Sequence, residues 1–142
     1  MRALLDVNVL IALLDADHLH HEAARRWLRD NIREGWATCP LTENGCVRIM
    51  AQSTYPNHLP APLVAERLRQ ATSSAHHEFW PDSVSLLSPG TADWSRLIGP
   101  RQITDIYLLA LAVARRGRFV TFDARIDSRA VPGAENQNYC LI

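Results

Sequence analysis

Lysine is missing from the 142-residue chain: all 15 of its basic side chains are arginines, and 15 Asp plus Glu bring the formal net charge to zero. Without an excess of either sign, the sequence argues against a protein that holds nucleic acid through bulk electrostatics alone. Cysteine is scarce. Cys39, Cys46 and Cys140 are an odd number with no CxxC spacing, which excludes a disulfide framework and suits small apolar residues in a reducing compartment. Long hydrophobic runs are absent too. The apolar N-terminus is cut by Asp6 and Asn8 and followed by Asp15-Ala16-Asp17 where a small-residue cleavage site would stand. The run from Ile103 to Ala114 carries Asp105 and is about half the length that spans a bilayer. Both are expected as buried elements of a cytoplasmic protein with no membrane contact. No Walker loop, GxGxxG or GxSxG motif occurs, and no repeat, low-complexity stretch or linker divides the chain, so one domain is expected over residues 1–142.

What is present is an ordinary globular composition, 47% hydrophobic and 21% charged, long enough to build one core. Residues 2–5 form a short apolar run ending at Asp6, and Val7–Leu14 follows as a helix. Between His18 and Ile32, apolar Ala23, Ala24, Trp27, Leu28 and Ile32 recur at three- and four-residue spacing, which predicts an amphipathic helix ended by Gly35. Residues 36–39 are a candidate strand, and Pro40 suits the start of a helix to about Gln52. Residues 53–62 hold three prolines and predict a loop. A helix around Leu63–Ala71, weak strands at Phe79-Trp80 and Ser83–Leu87, and a short helix over Thr91–Ile98 capped by Thr91 come next. Thr104 opens a strong helix to Arg116, closed by Gly117. Strands are expected at residues 118–122 and 138–142. Strands alternating with helices imply an α/β fold, a central parallel sheet with helices on both faces.

In such a sheet, ligands gather beyond the carboxyl ends of the strands, where the strand order reverses. That rule selects four acids. Asp6 and Asp123 each end a strand, while Glu43 and Asp105 each lie in the first turn of a helix. Singly, each has a plain structural role: Glu43 and Asp105 complement a helix dipole, Asp6 caps the helix at Val7, and Asp123 forms a turn. Together on one edge they repel, and carboxylates crowded this way raise their proton affinity by about one to three pKa units unless a cation intervenes. An all-oxygen donor set suits Mg²⁺ or Mn²⁺ and not zinc. Such ions activate water against a phosphate ester.

On these residues the sequence resembles the PIN-domain nucleases, and more narrowly the VapC-type toxins of bacterial toxin–antitoxin pairs. The carriers are Leu5-Asp6-Val7-Asn8-Val9-Leu10-Ile11-Ala12-Leu13, Leu41-Thr42-Glu43-Asn44-Gly45, Ile103-Thr104-Asp105-Ile106-Tyr107-Leu108-Leu109-Ala110-Leu111-Ala112 and Phe119-Val120-Thr121-Phe122-Asp123, in family order over nearly the whole chain. The resemblance implies a three-layer αβα PIN-like fold and a Mg²⁺-dependent endoribonuclease, with Mn²⁺ as a substitute, cutting single-stranded or loop regions of structured RNA. Asp6, Glu43, Asp105 and Asp123 match the family's acidic quartet, with Asp6 and Asp105 as principal metal ligands. Glu43 would be a further ligand or orient the water, and Asp123 would complete the site. Asn8 and Thr121 match positions that support the acids by hydrogen bonding. One departure is local: Ile126 stands where the family often has an aromatic. The implied partners are RNA, a small cognate antitoxin that wraps the early helices and inserts a basic side chain into the site, and a second copy of the chain in a homodimer or a higher assembly.

Two rival functions remain open at this point. One is a phosphatase with Asp6 as aspartyl nucleophile, which Asn8 disfavours by replacing the partner acid two residues on. The other is a PIN-like module that binds without catalysis. Arg101 and Arg125 flank site acids and are candidate RNA contacts. His18, His20, His21, His76 and His77 suit a surface more than a metal site. Trp27 and Trp36 suit the core, whereas Trp80 and Trp94 carry no assignment. Setting the four acids aside leaves 15 arginines against eleven other acids, so a metal-loaded protein presents a moderately cationic face to RNA.

Overall fold

A computed structural model describes residues 1–142. Five short strands form one wholly parallel sheet: β1 (Ala3–Leu5), β2 (Trp36–Thr38), β3 (His77–Phe79), β4 (Arg118–Thr121) and β5 (Tyr139–Leu141), in the order β3-β2-β1-β4-β5. The chain first winds outward from β1 to β3, then crosses back to β4 on the other side of β1. The switch point therefore lies between β1 and β4, whose carboxyl ends lead into Asp6 and Asp123.

Alternation along the strands divides the core into two layers. Ala3, Leu5, Trp36 and Val120 face α1 (Val7–Leu14), α2 (His21–Asn31), α3 (Pro40–Met50) and α4 (Ala61–Thr72). Leu4, Ala37 and Phe119 face α5 (Ile103–Ala114) and the segments around Trp80, Ile126 and Val131. Six of the twelve residues of α5 are buried, which is why its apolar pattern is nearly continuous. Its buried leucines contribute about 1.5–3 kcal/mol each by leaving water. Cys39 and Cys46 lie in these layers, and burial pushes their thiols up to about 11 and about 12.

Several element boundaries differ from expectation for identifiable reasons. The second helix starts at His21, because residues 16–20 form turns in which His18 Nδ1 receives the His20 N–H. The third ends at Met50. The fourth begins at Ala61, with Pro62 in its first turn where no donor is needed. Ser83–Leu87 forms no strand: Val84 and Leu86 pack on the α5 layer instead of extending the sheet at the open edge of β3. Thr91–Ile98 is no α-helix either. It holds one 3₁₀ turn, Trp94–Arg96, capped by Asp93 and not by Thr91. The last helix opens at Ile103, after a 3₁₀ turn at Pro100–Gln102.

Helix α5 closes with a Schellman pattern, Gly117 N–H to the Ala112 carbonyl at 2.8 Å and Arg116 N–H to that of Val113 at 3.0 Å. The left-handed residue is Arg116 (φ 54°), not the glycine. Gly117 is required for space: a Cβ there would lie 2.6 Å from Trp80 and 2.7 Å from the Arg2 carbonyl.

Candidate active site

Asp6 follows β1 immediately and is only 5% exposed. Its Oδ1 accepts the Val7 N–H at 2.7 Å, so it caps α1 as expected, and its Oδ2 accepts the Thr121 hydroxyl at 2.7 Å. The capping role and a role in chemistry thus use the same side chain. Burial raises the Asp6 carboxyl, against the pull of the Thr121 and Val7 hydrogen bonds. Thr121, the last residue of β4, also receives the Asp123 N–H on its hydroxyl oxygen at 3.1 Å. One buried hydroxyl therefore links the two strand ends.

Asp105 comes from the other layer, in the first turn of α5. No hydrogen bond or ion pair holds its carboxylate. It is pushed up to about 6, first by burial and then by the charges of Asp6 and Asp123. Asp123 is the best neutralised of the acids. Arg125 grips it with Nε at 2.9 Å and Nη2 at 2.7 Å and adds its backbone N–H at 2.8 Å. Those bonds hold the Asp123 carboxyl below its ordinary range. The Tyr139 hydroxyl donates to the Asp123 carbonyl and steadies the same turn, while Ile126 is core beneath it.

These three acids line one open cleft of about 340 Å³, walled also by Asn8, Leu41, Asn44, Arg48, Arg101 and Thr104. Glu43 is not among them. On α3 the residues facing the cleft are Leu41, Asn44, Gly45, Arg48 and Ile49, and at about 100° per residue Glu43 lies roughly 170° around the helix from their mean direction. Its Oε1 accepts the Thr38 hydroxyl at 2.6 Å. Since Thr38 has one hydrogen to give, its oxygen accepts from His77 Nε2 at 2.8 Å. The expected convergence of four carboxylates is thus a convergence of three, with Glu43 in the neighbouring groove between α3 and α4.

Asn8 lines the cleft without a hydrogen bond to any acid, whereas Thr121 has two such links. Arg101 sits on the cleft wall free of any ion pair, whereas the guanidinium of Arg125 is committed to Asp123. Of the histidines, His20 stacks on Phe122 at 4.6 Å and His21 Nδ1 contacts the Ala12 carbonyl at 2.7 Å. Trp36 and Trp80 are buried, Trp27 is half-buried beneath Arg118 at 5.0 Å, and Trp94 is exposed. Sequence reasoning missed Asn44 and Arg48. No signal in the sequence marked them: a Cβ at Gly45 would lie 2.8 Å from Val7, so α3 meets α1 at this point, and Asn44 beside it and Arg48 one turn on face the cleft.

Three carboxylates lining one cleft, one of them unpartnered, offer hard oxygen donors that fit a divalent cation better than any neutral ligand. As the side chains stand, no three His, Cys, Asp or Glu residues are close enough together to hold a single ion. The donor chemistry fits an ion held by one or two of the carboxylates, with water completing its shell.

Residues 3–132 match the PIN domain family. The chain belongs to that family. Its relatives lie within the same branch of names: it is 54% identical to Ribonuclease VapC44 of Mycobacterium tuberculosis over the whole of both chains. It is 45% identical to Ribonuclease VapC39 of the same organism, covering 94% of this chain and 96% of that one. Among solved structures, VapBC2 from Rickettsia felis bound to a DNA fragment from their promoter aligns with a TM-score of 0.64 at 13% identity, covering 100% of this chain and 98% of that one. This PIN domain therefore has the family's parallel sheet as well as its sequence pattern.

Proposed function

We propose that the protein is a divalent-metal-dependent endoribonuclease, the toxin of a toxin–antitoxin pair. The observation that carries this reading is the unpartnered Asp105 carboxylate, pushed up to about 6 beside buried Asp6 at the switch point of the sheet. The similarity to the VapC ribonucleases supports the substrate class. Asp6 and Asp105 are the principal ligands of Mg²⁺, with Mn²⁺ as a substitute, and Asp123 completes the set. When bound, the ion supplies an activated water and charge stabilisation at the attacked phosphate. Thr121 fixes the orientation of Asp6, and Arg125 holds the Asp123 turn. Asn8 and Arg101, which line the same cleft, bind and orient the RNA backbone. Glu43, once released from Thr38, would be a further ligand or orient the water.

The partners follow from the surface. Leu10, Leu13, Leu14, Leu28, Ile32 and Leu68 line an apolar groove of about 280 Å³ across α1, α2 and α4, which suits the wrapping segment of an antitoxin. A homodimer, alone or within a larger toxin–antitoxin assembly, is the expected oligomer. No helix is long and apolar enough to cross a membrane, in keeping with action in the cytoplasm.

The test uses antitoxin-free protein and structured RNA with Mg²⁺, with EDTA, and as the Asp6→Asn variant. Cleavage that needs the metal and Asp6 supports the reading. Cleavage that survives either change overturns the mechanism. Phosphomonoesterase activity without RNA cuts would favour Asp6 as a nucleophile, and RNA binding without hydrolysis would favour a binding module.

A further inference from the structure

The largest cavity is not the acidic cleft but its neighbour, a groove of about 610 Å³ between α3 and α4. Asn44 and Arg48 line both, so the exposed shoulder of α3 is the border that cleft and groove share. Arg48 takes part in no hydrogen bond or ion pair, unlike Arg125 and Arg129, each of which is closed on an aspartate two residues earlier. With Arg101, it is one of the two arginines on the cleft wall, and both are unpaired. The groove floor is apolar, made by Val47, Ala65 and Leu68, and its rim is polar, with Asn44, Glu43, Thr72 and Arg69, the last paired with Glu66.

We propose that this groove is a nucleotide subsite: Arg48 holds the phosphate next to the one being cut, and the adjoining unpaired base lies on the Val47–Ala65–Leu68 floor. This rests on the ribonuclease reading above. An apolar floor matches the face of a base, and the Asn44 amide on the rim matches its donor and acceptor edge. The guanidinium at the junction matches the backbone between two nucleotides. A duplex keeps its bases stacked and paired and presents no free base face to this floor. The subsite therefore selects single-stranded or flipped-out nucleotides beside the cut.

The experiment measures cleavage and binding of single-stranded RNA oligonucleotides across a salt series. Binding is read in the Asp6→Asn background, so that the RNA stays intact. Arg48→Ala is expected to raise KM about tenfold, the loss of one charge-assisted contact, and to flatten the slope of log affinity against log salt by about 0.7. Arg48→Lys restores most of the salt slope. Ala65→Trp fills the groove without changing charge and weakens binding while leaving the slope unaltered. Arg67→Ala, on the same helix α4, changes neither. Wild-type KM and slope in both Arg48→Ala and Ala65→Trp, in protein that still cuts RNA, would overturn the subsite and leave the ribonuclease reading standing. A wild-type protein that neither binds nor cuts any RNA would overturn both. RNA binding untouched by Ala65→Trp, with a changed oligomeric state, would assign the groove to a second copy of the chain and also overturn the proposal. Far-ultraviolet circular dichroism and a thermal melt establish that each variant is folded.

Discussion

The Thr121 hydroxyl donates to Asp6 Oδ2 at 2.7 Å across 115 residues of sequence while its oxygen receives the Asp123 N–H at 3.1 Å. This single buried group aligns the ends of the two strands that flank the switch point. It also offsets part of the penalty of burying Asp6, since a hydrogen bond to the charged form lowers the carboxyl that burial raises.

Thr121→Val keeps the shape and removes both bonds. It should lower stability by about 2 kcal/mol, because a buried carboxylate oxygen and a backbone N–H lose their partner. Mg²⁺ affinity should fall as well, since Asp6 is no longer oriented. Urea denaturation and metal titration check the two effects. Thr121→Ser, which keeps the hydroxyl, should lie close to wild type in both; a serine variant as weak as the valine one would show that packing and not the hydrogen bond is at issue.

Asp105 sets up an opposition between stability and activity. Its carboxyl is raised to about 6 in the folded protein and lies near its ordinary value in the unfolded chain. Between those values the folded state holds the extra proton, so metal-free stability should fall as pH rises from about 4 to about 6 and level off above. Asp105→Asn removes the repulsion. After discounting for its partial exposure, it should stabilise metal-free protein at pH 7.5 by about 1 kcal/mol, with the gain vanishing below pH 4. The same variant should lose RNA cleavage and should not be stabilised further by Mg²⁺. Melting curves at several pH values, with and without metal, decide it.

Arg125 neutralises Asp123 through two side-chain bonds on an exposed turn. Removing it with Arg125→Ala leaves the cleft more negative. Mg²⁺ should then bind a few-fold more tightly at low salt, and the difference should shrink with ionic strength. Calorimetric titration at two salt concentrations measures both. An unchanged Mg²⁺ affinity at low salt would mean that Asp123 does not face the ion.

Most of this architecture was legible because it depends on local rules. An apolar run ending in an acid located β1 and Asp6, and the near-continuous apolar pattern of residues 103–114 located α5 because half of that helix is buried. Segments without periodicity were not legible. Ser83–Leu87 has strand-like residues, but Val84 and Leu86 pack on the α5 layer and leave the edge of β3 free, and Thr91–Ile98 is held by Asp93 in a single turn. At the site, strand-end acids were readable from topology, since a strand has only one carboxyl end. Glu43 was not, because a helix can point a first-turn residue in any direction. The close approach of Gly45 to Val7 sets the rotation of α3, and no single position in the sequence announces it.

That rotation makes Glu43 the most informative residue to change. Its carboxylate is held by Thr38, which in turn is braced by His77 on an adjacent strand. If Glu43 joins the acids during the reaction, the Thr38 bond opposes it. Thr38→Val should then cost about 1–2 kcal/mol of stability, because the Glu43 and His77 side chains are left without their shared hydroxyl partner. Cleavage should nevertheless stay at or above the wild-type rate. Glu43→Gln keeps the bond to Thr38 as an amide oxygen can still accept it, so the fold is retained, but cleavage should fall by at least tenfold with a weaker dependence on Mg²⁺ concentration. Single-turnover rates across a Mg²⁺ series separate the cases. If Thr38→Val and Glu43→Gln lose activity in parallel at saturating metal, the carboxylate works from where it stands, as part of the groove wall, and the metal is held by the three aspartates alone.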